Sequence, residues 1–278
     1  MTTVRPSLHY GMCGDDPAAT IRFLHETDIC DLVCDAKQIS RRGDYEPALT
    51  ASELDSFAEP FRREGIRLAA VTIGWAKRDP AGRLAAQALE AIRESIGVLG
   101  AGGVPIAQLF DMGPIPKDAD RAAYFAGLCD SYRAIVEACA SSDVRLAIHF
   151  SWLPDAALWN TATVLALFEA VPDPHNGVCF CAGSIWQSGD DVVESVRALR
   201  DRIHHVHFRD ADEIGGNCPE MLLGRGKVPF RSLVGALREV GYDGPVHCEH
   251  FGSFSCQQRG EVAAGWAAGF MRGLFEER

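Results

Sequence analysis

Missing from this sequence are a surplus of basic residues, a CxxC pair, a GxGxxG motif after the first strand-like run, and any long uninterrupted apolar stretch. Lys and Arg number 27 against 38 Asp and Glu, a formal net charge of -11. The chain therefore lacks the cationic footprint that neutralises nucleic-acid phosphates, and an anionic ligand would require a local cationic pocket. Without CxxC, a zinc ribbon or a thioredoxin-like redox pair has no support. No run approaches the roughly 18 apolar residues of a membrane span, and MTTVRPSLHYG has no apolar signal-peptide core. The expectations are no nucleic acid, no membrane, a cytoplasmic location and a small-molecule partner.

What is present is enough apolar material for a large core: 278 residues, 47% of them hydrophobic. The ten cysteines are scattered through strand-like and helix-like segments and read mostly as reduced, buried small hydrophobes. Short β-type runs recur as SLHYGM, DICDLVC, IRLAAVTI, VPIAQLF, VRLAIHF, GVCFCA, IHHVHFR and GPVHCEHF, separated by helix-period stretches. Eight such alternations in a chain near ~250 residues fit a single (β/α)₈ TIM barrel domain over residues 1–278. A doubly wound sheet competes, but the missing GxGxxG removes its main support. Ser52 is a candidate cap for the helix ASELDSFAEPFRREG, and Asp15-Asp16-Pro17 reads as a cap followed by proline in the first helical turn. LGRGKVPF lacks P-loop spacing and reads as a turn before a helix.

In such barrels the catalytic groups sit at the C-terminal ends of the strands. Strand five ends in His149, strand six in Cys181, strand seven in His207 and Arg209, and strand eight in Glu249 and His250. Taken singly, a histidine on an apolar strand is often a hydrogen-bonded core residue, and a cysteine is often filler. Together, two imidazoles, a thiolate and a carboxylate at equivalent depths on consecutive strands favour a divalent metal. Period-two alternation places residues 205, 207 and 209 inward and His204 on the helix side. Cys179 reads as packing one layer deeper, and Ala182 and Gly183 as room beside the metal.

These segments resemble mannonate dehydratases, members of the xylose-isomerase-like group of metal-dependent barrels acting on sugars and sugar acids. LAIHFSWLPD, NGVCFCAGS, DRIHHVHFRDA and CEHFG are similar to that family's last four strand ends, and HYGMCGDDPAATIRFLHE more weakly to its opening. The resemblance implies metal ligation by His149, Cys181, His207 and Glu249, the last where the family usually has Asp. It places a substrate-contacting arginine on Arg209 and an acid or base on His250. The wider isomerase and epimerase group carries Glu on strand five and Asp on strand six, so His149 and Cys181 favour the dehydratase branch. Gln108 and Asp111 stand where the family has an Asn-containing segment.

What the resemblance implies is loss of water from a D-mannonate-like sugar acid to give a 2-keto-3-deoxy acid. Mn²⁺ is the implied metal, although thiolate and imidazole ligands also suit Zn²⁺ or Fe²⁺. His250 is expected to serve one proton transfer and Tyr10 the other. Arg209, His9 and Gln108 are the expected substrate contacts; for Arg209 a rim salt bridge with Asp210 or Asp212 is the alternative. Trp75 and Trp152 either wall the pocket or pack. Two rivals stand: a metal-dependent sugar isomerase or epimerase, and a non-catalytic metal-binding barrel. Homo-oligomers are common among such barrels, but no sequence feature marks an interface.

Overall fold

The computed structural model describes residues 4–42, 45, 47–215, 220–249 and 260–276. The apolar runs become eight parallel strands: β1 (Arg5–His9), β2 (Asp31–Asp35), β3 (Arg67–Trp75), β4 (Ile106–Asp111), β5 (Arg145–Phe150), β6 (Asn176–Cys181), β7 (Ile203–Phe208) and β10 (Pro245–Cys248). They close in the order β1-β10-β7-β6-β5-β4-β3-β2. Helices wrap the outside: α1 (Pro17–Glu26), α2 (Ala36–Ser40), α3 (Ala51–Arg63), α4 (Ala86–Ala101), α5 (Arg121–Ser142), α6 (Thr161–Ala170), α7 (Ala182–Ser188), α8 (Val192–Leu199), α9 (Phe230–Glu239) and α10 (Gly260–Glu276). A two-stranded ribbon, β8 (Asp210–Ala211) with β9 (Glu220–Met221), follows β7. None of the described helices is long and apolar enough to cross a membrane.

The strands are nearly continuous apolar runs because both faces are covered, one by helices and one by the barrel interior. The large core lies between strands and helices and includes Leu32, Val71, Ile96, Leu128, Val178, Phe208 and Leu237. Inside the barrel a smaller cluster, Val33, Ala69, Ala70, Ile106, Ala147 and Cys179, fills the lower layer. Its small side chains leave the space above them open. Of the cysteines described, Cys30 is exposed and Cys13, Cys34, Cys129, Cys139, Cys179, Cys181 and Cys248 are buried free thiols.

Local chemistry sets the element ends. Asp16 caps α1 by accepting from the Ala18 amide, with Pro17 in the first turn, as the Asp-Asp-Pro pattern leads one to expect. Helix α3 is capped by Thr50 and not by Ser52, which is exposed inside the first turn. Thr50 accepts from the Glu53 amide while the Glu53 carboxylate accepts from the Thr50 amide, a capping box that Ser52 does not make. Strand β1 stops at His9 because the chain turns there: the Met12 amide donates to His9 O and the Gly14 amide to Gly11 O. In β7 the register against β6 shifts between Val178/Ile203 and Cys179/His205, leaving His204 as a bulged residue. The bulge turns His204 outward, where Nδ1 lies 2.6 Å from Leu146 O. A Cβ at Gly177 would come within 2.4 Å of the His204 ring, so glycine is required under it.

Candidate metal centre

At the C-terminal mouth of the barrel, His149 (β5), Cys181 (β6), His207 (β7) and Glu249, one residue beyond β10, converge. One donor atom from each lies within 4.8 Å of all the others. Parallel register does the aligning: Cys181 is opposite His207, and His207 opposite His247, two residues before Glu249. Glu249 Oε1 lies 3.1 Å from His149 Nε2 and 3.4 Å from His207 Nδ1, and Cys181 Sγ lies 3.3 Å from Oε2. Burial alone would raise the Glu249 carboxyl, but the charges of His149 and His207 beside it hold it well below the usual range. Burial alone would lower His149; Glu249 outweighs it and pushes the imidazole up to about 10. A divalent cation held by this cluster would take the place of that proton.

The donor set fits such a cation. Neither ring nitrogen of the buried His149 finds a hydrogen bond of ordinary geometry, as expected where a lone pair is directed at a metal. His207 Nε2 lies 3.1 Å from Gln108 Oε1; the amide oxygen only accepts, so Nε2 carries a proton and Nδ1 is the nitrogen that faces Glu249. Gln108, expected to touch substrate, lines the cavity and also orients this ligand.

Above the cluster lies a cavity of about 380 Å³. Its metal-side wall carries Arg209, whose guanidinium stacks 4.5 Å over the Trp152 ring. The two carboxylates that stand as alternative partners for Arg209 have partners of their own. Asp210 accepts from the amides of Ala211, Gly224, Gly226 and Val228, and Asp212 pairs with Lys227 at 3.1 Å. The GRGK turn is thus an anion-holding nest filled by a carboxylate of the same chain. Gly183 does not make room for a metal; a Cβ there would lie 2.8 Å from Arg209 Cγ, so the glycine admits the arginine stem. Trp75 stacks on Phe110 at 4.5 Å, and Phe110 lies 4.6 Å from the His149 ring. Both tryptophans wall the cavity.

The opposite wall holds His9, an expected substrate contact, together with residues that inspection of the last four strands missed. His9 Nδ1 lies 2.7 Å from Tyr10 O and must donate to it, leaving Nε2 facing Asp35 Oδ1 at 3.5 Å. Lys37 Nζ is 3.6 Å from Asp35 Oδ2, and Thr72 and Tyr45 complete the wall. Burial acts to raise Asp35, but His9, Lys37 and Thr72 together hold it lower than an ordinary carboxylate. Asp35 sits at the C-terminal end of β2, one residue past the apolar run DICDLVC, which is the signal that marks it.

Two expectations are corrected. Tyr10 does not reach the cavity: alternation after His9 turns it outward, where it packs edge-on against Phe57 and Phe61 at 5.0 and 5.9 Å. Asp111 is part of the scaffold, accepting from Arg78 at 2.7 Å and from the Tyr132 hydroxyl at 2.8 Å. His250 lies outside the described residues.

A mannonate dehydratase from Brachyspira hyodysenteriae is 26% identical over 159 residues, 52% of this chain and 43% of that enzyme. The match therefore spans less than half the length of this curated relative. The structure of a mannonate dehydratase from Streptococcus suis superposes with a TM-score of 0.84 at 15% identity, covering 99% of this chain and 93% of that one. An IolI protein with a bound zinc atom gives 0.80 at 14% identity, covering 98% of each chain. A D-psicose 3-epimerase from Clostridium cellulolyticum H10, solved with D-tagatose, gives 0.77 at 13% identity, covering 99% and 100%. At these identities the superpositions establish the barrel alone. The family match reaches further along the sequence, over residues 27–273, and the chain belongs to the xylose isomerase-like TIM barrel family.

Proposed function

We propose that the chain is a metal-dependent hydro-lyase that removes water from a D-mannonate-like sugar acid, giving a 2-keto-3-deoxy acid. The observation that carries this reading is one cavity whose wall takes in three of the four clustered donors, His149, His207 and Glu249, together with two cationic side chains, Arg209 and Lys37. With a bound dication they would outweigh the Asp35 and Glu249 carboxylates of the same cavity and supply, in a chain of net charge -11, the local positive potential that an acid substrate requires. The mannonate dehydratase relatives point to the same class of acid.

His149, Cys181, His207 and Glu249 would hold the divalent metal, with Mn²⁺ first and Zn²⁺ or Fe²⁺ as alternatives. When bound, such an ion polarises substrate oxygens and stabilises negative charge developing at C1 and C2. Arg209 pairs with the substrate carboxylate, and its stacking on Trp152 fixes the guanidinium plane. The C2 proton leaves to a base, for which His250, next in the chain to Glu249, remains the proposed group. The C3 hydroxyl leaves as water on taking a proton. In place of Tyr10 we assign this transfer to His9, whose Nε2 faces the cavity beside Asp35. A positioned acid of this kind contributes roughly 10²–10⁴-fold. The enol left behind ketonises to the 2-keto acid, so the sum is substrate to product plus one water.

A second reading, a sugar isomerase or epimerase on the same metal, is favoured by the epimerase fold likeness. Metal analysis of the purified protein, with a sugar-acid panel assayed by a carbonyl reagent, decides. Stoichiometric divalent metal and a keto acid are expected. An epimer or ketose without loss of water selects the second reading, and metal without turnover leaves a binding barrel.

A further inference from the structure

A second set of donors lies one layer below the first. Cys179, His205 and His207 are buried, and one sulfur and two ring nitrogens from them lie within 4.8 Å of one another. The β7 bulge sets this up, since past it Cys179 stands opposite His205 just as Cys181 stands opposite His207. His205 is fully buried; its Nε2 lies 2.9 Å from His247 Nδ1, while its Nδ1 finds no hydrogen-bond partner among the described residues. An unsatisfied buried nitrogen is costly, and binding a Lewis acid would relieve that cost. Packed with Cys179 are Val33, Ala69, Ala70, Ile106 and Ala147, an apolar layer.

The two layers differ in hardness and charge. The upper donors include Glu249; the lower donors are one sulfur and two imidazoles with no carboxylate. A dication held by one thiolate would leave net charge in the apolar layer, which is costly, whereas a monocation is neutralised. Thiolate and imidazole donors suit copper(I), and among the cations they suit it is the monocation that one thiolate neutralises.

We propose that Cys179, His205 and His207 form a copper(I) site beneath the mouth cluster. The ion enters already reduced: the Cys179 S–H bond breaks, a sulfur–copper bond forms, and the proton passes to solvent with no electron transferred. The cavity wall reaches His207 and His247, so entry is from the mouth. His207 belongs to both groups, so copper below withdraws an imidazole from the cluster above and inhibits whatever reaction that cluster supports. The proposal does not depend on which sugar is the substrate.

The test uses the full chain, reduced and anaerobic, in a Cys30→Ala background because Cys30 is exposed. Copper(I) is titrated against a colorimetric copper(I) chelator. The parent is expected to retain one copper(I) per chain more than its Cys179→Ser form, and Cys181→Ser to retain the same number as the parent. X-ray absorption at the copper edge should show one sulfur and two nitrogens at the additional ion. Equal retention by Cys179→Ser, or loss of that copper in Cys181→Ser, overturns the proposal. Where Cys179→Ser fails to fold, Cys179→Ala and the parent spectrum decide, and a two-sulfur or oxygen-bound copper overturns it. Manganese content, measured separately, reports the upper cluster independently.

Discussion

The two mouths of the barrel both bury charge, but they dispose of it differently. At the N-terminal mouth, Asp31 on β2 accepts from Arg5 on β1 at 2.9 Å and from Arg67 on β3 at 2.7 Å, closing a clamp across three strands. At the C-terminal mouth, His149, Cys181, His207 and Glu249 turn their donors on one point, and both nitrogens of His149 are left without an ordinary hydrogen bond. The scaffold also satisfies Asp111 through Arg78 and Tyr132, and Asp210 through four amides. Burial of charge is therefore not what distinguishes the site. The convergence of four metal-type donors within 4.8 Å of one another is.

The strongest way to break this contrast is to remove the convergence. Glu249→Gln keeps the shape and deletes the charge shared by two imidazoles and a thiol, so turnover should fall by roughly 10³-fold or more as metal is lost. Chelation of the parent should have the same effect, with activity restored by the divalent ion. Full turnover in the metal-free protein would show that the cluster is only packing. Next in size is Gln108→Leu, which leaves every ligand in place but frees the His207 ring to turn. Metal affinity should drop about 10–100-fold with the melting curve little changed, as read by metal-buffered titration. Affinity equal to the parent would remove Gln108 from ligand support.

Much of this contrast was legible in the linear chain, and the parts that were not share a cause. The strands stood out because most of their residues are buried on both faces, as in RLAIHF and NGVCFC. The four mouth residues stood out as polar positions at the ends of apolar runs. Asp35 escaped because its run appeared to end at Cys34, and Tyr10 was placed inward because nothing in HYGM marks His9 as the last strand residue. The outward turn of His204 was readable from alternation, but the bulge that produces it was not. The clamp on Asp31 joins residues 26 and 36 positions apart, and only closure of the barrel brings them together. Side-chain partners across the sheet have no local signature.

That clamp gives the third test. Asp31→Asn leaves two guanidiniums facing an amide, and stability should fall by about 2 kcal/mol. The loss is less than for a fully buried pair because both arginines reach water. Urea denaturation measures it, and turnover per folded molecule should be unchanged. A loss of turnover without a loss of stability would erase the distinction between the mouths.

The smallest effect asks whether the distinction is one of place or of satisfaction. Thr50 caps α3, which follows β2 and α2, so it belongs to the chemical end of the barrel; yet its side chain is answered by Glu53, which also pairs with Arg42. If satisfaction decides, Thr50→Ala behaves like a change at the far mouth. Stability then drops by about 1 kcal/mol, the usual worth of a cap, and turnover holds. Ser52→Ala, two residues on and outside the capping box, should change neither. Reduced turnover in Thr50→Ala at unchanged stability would instead mean that position at the mouth matters in itself, and that the loop from β2 to α3 carries the His9–Asp35–Lys37 wall as part of the site.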